Sequence, residues 1–179
     1  MKIYIIRHGQ TDWNKKGIIQ GQKDIELNGV GIKQAKEKIK EFNNLNFDLI
    51  ISSTLKRAML TAKTISSEKE TPIIYDDRLR ERCFGDYEGK NADFNEDYLY
   101  DIKTNIKENN IESAKELYDR VSSLLNEIKE KYQNEKILLV THGGTTRAIE
   151  AYFYGVNEKN VMPPETIKNC EIREYTYKK

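Results

Sequence analysis

Short apolar runs alternate with longer helical patterns along this chain, and the alternation restricts the possible folds more than any other feature. Four runs are predicted to be strands, at residues 2–6, 48–52, 72–75 and 136–141. Four segments with helical patterns are predicted helices, at residues 28–42, 53–66, 113–132 and 145–154. Asn28 and Ser53 are predicted to cap the first two helices. Because parallel strands need long, usually helical crossovers, this order predicts an α/β fold with a mostly parallel sheet flanked by helices.

The length and charge of the chain predict one domain with no strong electrostatic preference. Its 179 residues fall within the usual size of a single domain, which would span residues 1–179. The 30 basic and 29 acidic side chains nearly cancel, which weighs against nucleic acid or a membrane surface as a partner. No apolar run approaches the ~18 residues of a membrane span, and residues 1–6 lack the pattern of a signal peptide. The two cysteines form no disulfide framework, so we expect a cytoplasmic location, while the oligomeric state stays open.

Two segments fit the alternation less well. Residues 166–177 alternate loosely between apolar and polar side chains and are compatible with a final edge strand, including an antiparallel one. Residues 86–111 carry seven acidic side chains against three lysines, together with several aromatic rings that include Phe94. We predict that residues 86–111 form a short, partly helical, lid-like insertion over the edge of the sheet.

The only two histidines of the chain occur in matching contexts. His8 and His142 each follow a predicted strand, and each is followed by a glycine. Open α/β sheets place their ligand sites just beyond the carboxyl ends of the strands, so both imidazoles are expected at one edge of one sheet. The glycines are expected to let the backbone approach a ligand closely. Arg7, next to His8, indicates that the ligand is an anion.

Four short motifs, each after a predicted strand, resemble those of the histidine phosphatase superfamily, also called the phosphoglycerate mutase-like family. In chain order they are Arg7-His8-Gly9, Ser52-Ser53-Thr54-Leu55-Lys56-Arg57, Leu79-Arg80-Glu81 and His142-Gly143-Gly144. A single tripeptide of this kind arises by chance, whereas four motifs in order are specific. The resemblance covers nearly the whole chain and implies the three-layer fold of that family.

These residue types can carry out phosphoryl transfer whatever the family. Such a reaction needs a nucleophile, cationic groups around the phosphoryl oxygens and a proton donor for the leaving group. His8 is the candidate nucleophile, because a neutral imidazole nitrogen can form a covalent intermediate near pH 7. Arg7 and Arg57 offer forked donors that match phosphate, and Glu81 can protonate the departing oxygen and then take a proton from water.

The resemblance implies the same roles and adds further residues. It makes His8 the phosphohistidine and Glu81 the proton donor and acceptor. The residues that it implies around the phosphoryl group are Arg7, Asn14, Arg57, His142 and Gly143. Gln20 and Gly21 match positions on the substrate side. The resemblance requires neither a metal ion nor another cofactor.

Each assignment has a structural alternative. Either histidine alone more often makes structural hydrogen bonds, Arg57 is compatible with a surface position early in a helix, and Glu81 with a solvated run of charges. Asn14 is also a common turn residue. A zinc site at the two histidines would need more ligands and would be opposed by the adjacent Arg7.

Within this family, the sequence favours hydrolysis over mutase activity. Only 60 residues separate Glu81 from His142, and residues 83–119 contain no arginine. Gly144 stands where the mutases tend to have asparagine. The sequence therefore predicts a metal-independent phosphomonoester hydrolase of the histidine acid phosphatase type, acting on a small molecule. A cofactor-dependent phosphoglycerate mutase is the alternative, and a non-catalytic phosphate-recognition module is less favoured because nucleophile and acid are both present. The acidic, aromatic insertion favours a neutral or cationic, partly apolar leaving group.

Overall fold

The computed structural model describes residues 1–91, 95–164 and 167–178 of the chain. Within them, five strands form one sheet: β1 (Lys2–Arg7), β2 (Leu49–Ser52), β3 (Ile73–Tyr75), β4 (Ile137–Thr141) and β5 (Ile172–Thr176). Their order across the sheet is β3-β2-β4-β1-β5. The first four strands are parallel and β5 runs antiparallel to β1. This confirms the predicted, mostly parallel sheet, and the tail does supply an edge strand, although Thr166 lies outside the described residues.

Seven helices of the described residues surround or extend the sheet. They are α1 (Asp12–Lys16), α2 (Gly29–Glu37), α3 (Ile39–Leu45), α4 (Lys56–Ile65), α5 (Glu96–Leu99), α6 (Ala114–Lys131) and α7 (Gly143–Tyr154). Three short 3₁₀ turns lie at Asp77–Leu79, Gly85–Tyr87 and Glu108–Asn110. None of the helices in the described part of the chain has the length and apolar character that crossing a bilayer requires.

Both faces of the sheet are buried, which gives three layers. Successive side chains of a strand point to opposite faces, so Ile3 and Ile5 of β1 belong to one buried cluster while Tyr4 and Ile6 belong to another. The first cluster includes the apolar faces of α6 and α7. The second includes side chains of α2, α3 and α4. A parallel sheet covered on both sides explains why the strands read as continuous apolar runs.

The longest helix follows its sequence pattern closely. The Ser113 side chain caps α6 by accepting from the Glu116 backbone, and the Glu116 side chain accepts from the Ser113 backbone in return. Residues at spacings of three and four, including Leu117, Val121 and Leu125, are fully buried against the sheet. The cap and the apolar spacing together set the start of α6 and the face that it buries.

Several predicted helix boundaries are wrong. The single helix predicted at 28–42 is two helices, because the chain leaves regular helix at Lys38, where its amide caps α2. Asn28 caps α2 as expected. Ser53 is not a helix cap: the chain stays extended to Leu55 before α4 begins, and the Ser53 hydroxyl accepts from the Leu55 amide. At α7 the helix starts two residues earlier than predicted, directly after His142.

The described part of the predicted insertion packs onto a neighbouring loop. Asp93 and Phe94 lie outside the described residues. After α5, Asp101 forms an antiparallel bridge with Val161, and the Met162 amide donates to the Tyr100 carbonyl at 3.0 Å. These backbone contacts hold Tyr100, which is 6% exposed, against the body of the protein.

Candidate active site

Parallel pairing of β1 with β4 brings the two histidines together. Arg7 pairs with Thr141 at the ends of the strands, and the His8 amide donates to the Thr141 carbonyl at 3.0 Å. One residue further on, the His8 and His142 rings lie with their centroids 5.0 Å apart. Both side chains are buried. The structure thus places the two imidazoles at one edge of the sheet.

The hydrogen bond of His8 identifies which of its nitrogens is reactive. Its Nδ1 lies 2.7 Å from the Gly9 carbonyl oxygen, which can only accept, so Nδ1 carries the hydrogen and Nε2 keeps its lone pair. Burial, and then the positive charges of Arg57 and Arg7, lower the pKa of His8 well below its ordinary value. His8 therefore presents a neutral Nε2 that is able to attack an electrophile.

The contacts of His142 give it the opposite tautomer. Arg57 Nε donates to His142 Nδ1 at 3.2 Å, so the hydrogen resides on Nε2, which donates to the Ser53 hydroxyl at 2.8 Å. Burial and the charge of Arg57 also lower the pKa of His142 well below its ordinary value. This histidine is therefore a neutral donor, and its orientation is fixed by Arg57 and Ser53.

Arg57 is buried rather than exposed on its helix. Besides His142, its guanidinium binds the backbone carbonyls of Gly21, at 2.7 Å, and Lys23, at 2.8 Å. Burial lowers the pKa of Arg57 to about 10. The surface alternative is wrong for this residue, which connects the loop around Gly21 to His142 and whose positive charge acts on both histidines.

Glu81 lies at the amino terminus of α7. Its carboxylate accepts from the Arg82 amide at 2.8 Å and from the Gly144 and Thr145 amides at 3.1 Å. The free amides at the start of a helix and the helix dipole favour a negative group at this position. Glu81 is 9% exposed, so it is not part of a solvated run of charges.

Gly9 and Gly144 leave space that neighbouring protein groups fill. A Cβ on Gly9 would stand 2.5 Å from the Gly31 carbonyl oxygen, so the missing side chain lets α2 approach β1 closely. A Cβ on Gly144 would stand 2.6 Å from Glu81 Oε1 and 3.0 Å from the Tyr100 hydroxyl oxygen. The bare backbone of Gly144 is therefore what admits the Glu81 carboxylate to the end of α7.

A cavity of about 210 Å³ opens beside these groups. Its polar and charged lining residues include Arg7, His8, Asn14, Gln20, Glu81, Tyr100 and Arg147. Ile18, Ile19, Gly21 and Phe84 complete the lining. Arg57, His142 and Gly143 are buried and are not among the lining residues.

Asn14 and Gln20, the two amide side chains predicted for the site, line the cavity, and both contact Thr11. Asn14 Oδ1 accepts from the Thr11 amide at 3.1 Å, and Gln20 Oε1 accepts from the Thr11 hydroxyl at 2.9 Å. Both oxygens are therefore engaged, and each side chain has its NH₂ group left as the donor that can face a ligand. Asn14 also completes the capping box of α1, a helix that was not predicted from the sequence.

Arg147 and Tyr100 line the cavity but were missed from the sequence. Arg147 follows Gly144 by three residues on α7, so helical spacing alone would have placed both on one face. Tyr100 gave no such signal, because its position depends on backbone contacts with Val161 and Met162 that are distant in sequence. No group of three or more histidine, cysteine or acidic side chains in the described ranges is arranged to hold a metal ion.

Comparison with known proteins gives consistent matches. A model of the histidine phosphatase superfamily (branch 1) matches residues 3–179. The uncharacterized phosphatase PhoE of Bacillus subtilis is 37% identical over 82% of this chain and 74% of its own length. The probable phosphoglycerate mutase GpmB of Escherichia coli O1:K1 is 32% identical over 99% of this chain and 85% of its own. A structure of phosphoserine phosphatase from Entamoeba histolytica with 3-phosphoglyceric acid aligns with a TM-score of 0.79 and 30% identity, covering 97% of this chain and 89% of that one.

The substitution Gly144→Ala should displace the Glu81 carboxylate, because the new Cβ would overlap it. A misplacement of about 1 Å can cost about 100-fold in rate. We expect kcat/KM for an alkyl phosphomonoester to fall by about that factor. The loss for p-nitrophenyl phosphate should be smaller, because its leaving group needs less protonation.

Gly29→Ala is the matched control for this substitution. Gly29 also opens a helix, and a Cβ there would meet no atom within 4 Å. Steady-state kinetics on both variants would make the comparison, with circular dichroism to verify folding. A folded Gly144→Ala protein with unchanged kcat/KM for both esters would contradict the need for this carboxylate position.

Both imidazoles should remain neutral in the pH range where an exposed histidine titrates. Because their pKa values are lowered in the folded protein, the Cε1–H resonances should not shift between pH 8 and about pH 6, as followed by NMR. Only two histidine signals exist, which simplifies the measurement. A midpoint near pH 6.5 for either signal would refute the assigned electrostatics.

The same shifts imply a pH dependence of stability. Well above about pH 6.5 the imidazoles are neutral in both the folded and the unfolded chain, so they do not make the free energy of unfolding depend on pH. Below it the unfolded chain binds protons that the folded protein does not, so the free energy of unfolding should decrease as pH falls. Urea denaturation at pH 7 and pH 5.5 would measure this decrease.

Proposed function

Because this chain belongs to the histidine phosphatase superfamily, we propose that it hydrolyses small phosphomonoesters through a phosphohistidine on His8, without a metal ion. The observation that carries the proposal is the hydrogen bond from His8 Nδ1 to the Gly9 carbonyl. It leaves a neutral Nε2 at the wall of a cavity that Arg7 also lines. A buried, oriented and uncharged imidazole beside a cation is suited to attack a phosphoryl group.

The phosphoryl group would be held by donors of two kinds. Arg7 offers a guanidinium that matches phosphate oxygens, and Asn14 offers its NH₂ group as a neutral donor. His142 would turn its Nε2–H from the Ser53 hydroxyl to a phosphoryl oxygen, and Arg57, which donates to His142 Nδ1, would contribute positive charge. The amide of Gly143, at the start of α7, adds to the positive end of that helix dipole. Gln20 and Gly21 would contact the substrate on the side away from the nucleophile.

In the first step, His8 Nε2 would attack phosphorus as the bond from phosphorus to the ester oxygen breaks. Glu81, when protonated, is placed to give its proton to that oxygen, so the leaving group departs as an alcohol. The products of this step are phospho-His8 and the Glu81 carboxylate. The amides of Gly144 and Thr145 stabilise the carboxylate that is formed.

In the second step, water would attack the phosphorus of phospho-His8. The Glu81 carboxylate takes a proton from the water as the new bond to oxygen forms and the bond from phosphorus to Nε2 breaks. His8 returns to its starting tautomer, and inorganic phosphate leaves. Glu81 thus ends protonated, ready for another ester.

The positions of the lysines in residues 86–111 support hydrolysis over mutase activity. A mutase must retain its phosphorylated product for reorientation, which requires binding energy from fixed cations above the site. The candidate cations of the insertion, Lys90, Lys103 and Lys107, are exposed, and none lines the cavity. Lys107 instead pairs with Glu116 on α6.

A phosphorylated intermediate should be trapped on His8. Rapid quenching with a ³²P-labelled monoester, in EDTA, should leave protein-bound label that is stable to alkali and labile to acid, as expected of a phosphoramidate. His8→Ala should abolish labelling and reduce turnover by more than 1000-fold, on the order of the loss when a nucleophile is removed. Phosphate release and mass mapping of the labelled peptide would be measured together.

His142 supplies the internal comparison, since it is the only other histidine. Label mapped to the His142 peptide, or label retained after His8→Ala, would refute the nucleophile assignment. Activity that disappears in EDTA and returns with magnesium or zinc would refute the metal-independent reaction.

With 3-phosphoglycerate and a trace of 2,3-bisphosphoglycerate, we expect free phosphate and negligible 2-phosphoglycerate. The reason is that no insertion lysine reaches the cavity to retain the product while it reorients. Phosphate release and coupled detection of 2-phosphoglycerate would be followed in parallel. Isomerisation faster than phosphate release would favour the mutase alternative.

A further inference from the structure

We propose that Arg120 and Glu112 are positioning residues for Glu81: their ion pair holds the backbone on which the proton donor is mounted. This inference rests on the proposed phosphatase function and adds two residues to it. Neither belongs to the four sequence motifs, and neither is among the described residues that line the cavity. Their effect on the reaction would therefore pass through Glu81.

The position of Glu81 depends on the path of its own backbone. The Gly144 and Thr145 amides bind the end of its side chain, at the start of α7. The peptide groups of residues 80–84 lie in neither a helix nor a strand. They therefore need partners outside regular structure if they are to stay in one place.

Arg120, on α6, supplies two of these partners. Its Nη1 donates to the Arg78 carbonyl at 2.7 Å, and its Nη2 donates to the Glu81 carbonyl at 3.2 Å. Because the donors of a guanidinium point in fixed directions within one plane, the two carbonyls are held at a set separation. The peptide of Glu81 is thereby joined directly to α6.

Glu112 binds Arg120 and the residues that follow Glu81. Its carboxylate accepts from Arg120 Nε at 2.6 Å and from Arg120 Nη2 at 3.0 Å, and also from the Cys83 amide at 3.2 Å. The Glu112 amide donates to the Cys83 carbonyl at 3.0 Å, and the Glu112 carbonyl accepts from Arg82 Nε at 2.8 Å. The chain is thus held on both sides of Glu81 by one ion pair.

This ion pair differs from the exposed pairs of the same helix. The side chains of Arg120 and Glu112 are 20% and 14% exposed, whereas those of Lys115 and Asp119 are more than half exposed. Exposed pairs contribute little to stability, but removing one partner of a largely buried pair leaves the other charge without compensation. Loss of Arg120 would also remove a donor from the Glu81 carbonyl, so the segment should shift.

The test compares two esters of similar shape, phenyl phosphate and p-nitrophenyl phosphate, since phenol is the poorer leaving group and needs more protonation. Arg120→Met keeps the length of the side chain and removes its donors. A misplacement of about 1 Å can cost about 100-fold in rate, so kcat/KM for phenyl phosphate should fall by about that factor. For p-nitrophenyl phosphate it should fall less than about tenfold. The leaving-group ratio, kcat/KM for p-nitrophenyl phosphate divided by that for phenyl phosphate, should thus rise at least about tenfold.

Two further variants make the result independent of one substitution. Arg120→Lys keeps the charge but loses the planar fork, and should give a leaving-group ratio between those of wild type and Arg120→Met. Glu112→Gln should raise the ratio by about threefold or more, because a neutral acceptor binds Arg120 about half as strongly. Glu112→Gln carries the test if Arg120→Met fails to fold, and an unchanged ratio in folded Glu112→Gln would then overturn the inference.

Arg78→Met is the matched control. The Arg78 side chain also connects this loop to α6, through Glu127 at 2.8 Å, but it binds Asp76 and Glu127 rather than the peptide of Glu81. Its leaving-group ratio should equal that of the wild type, whatever the loss of stability in urea. A ratio raised as much by Arg78→Met as by Arg120→Met would refute a specific role of the Arg120–Glu112 pair.

A double-mutant cycle distinguishes positioning from general damage to the fold. If Arg120 acts through Glu81, adding Arg120→Met to Glu81→Gln should change the leaving-group ratio by less than about twofold. Independent effects would instead multiply, and that result would contradict the inference. So would an unchanged ratio in folded Arg120→Met.

The wild-type protein separates this inference from the proposed function. If it releases phosphate from p-nitrophenyl phosphate, but Arg120→Met lowers kcat/KM equally for both esters, the positioning role is refuted and the phosphatase function stands. If it releases phosphate from neither ester, the proposed function itself is refuted.

Discussion

The register between β1 and β4 is the constraint on which the site depends. Parallel pairing aligns Arg7 with Thr141, and one further backbone hydrogen bond, from His8 to Thr141, extends that alignment past the ends of the strands. A slip of one residue would turn every side chain of β1 to the opposite face. The apolar side chains on both faces of the sheet prevent such a slip, so the energy that fixes the fold also sets the spacing of the two imidazoles.

Charge and hydrogen bonding then give the two histidines different properties. Two imidazoles lie beside two guanidiniums, and burial together with the cations keeps both rings neutral. What distinguishes them is the partner of Nδ1: a carbonyl acceptor for His8 and the Arg57 donor for His142. His8 therefore keeps a lone pair on Nε2, whereas the Nε2–H of His142 is donated to Ser53. Among the described residues that line the cavity, Glu81 is the acidic one, and it lies at the positive end of α7.

The sequence predicted those features that local pattern determines. Apolar runs marked the four parallel strands, and the residues after the first and fourth marked the histidine pair, because strand ends converge at one sheet edge. Features that depend on contacts between distant segments were missed. Arg57 turns toward the carbonyls of Gly21 and Lys23, and Tyr100 reaches the cavity only through its pairing with the loop at Met162.

The packing at Gly9 and Gly144 could not be predicted from the sequence for a similar reason. A glycine after a histidine is compatible with approach of a ligand, but the space at Gly9 is filled by Gly31 and the space at Gly144 by Glu81. Which neighbour fills such a space follows from packing of α2 and α7 that no local pattern encodes.

The stereochemical course at phosphorus tests the central claim most directly. Each in-line displacement inverts the configuration, so two successive displacements through phospho-His8 restore it. Transfer from a substrate made chiral at phosphorus with oxygen isotopes to an acceptor alcohol, analysed by ³¹P NMR, would report the outcome. The account predicts net retention of configuration. Net inversion would mean a single direct displacement and would contradict the role of His8 as the nucleophile.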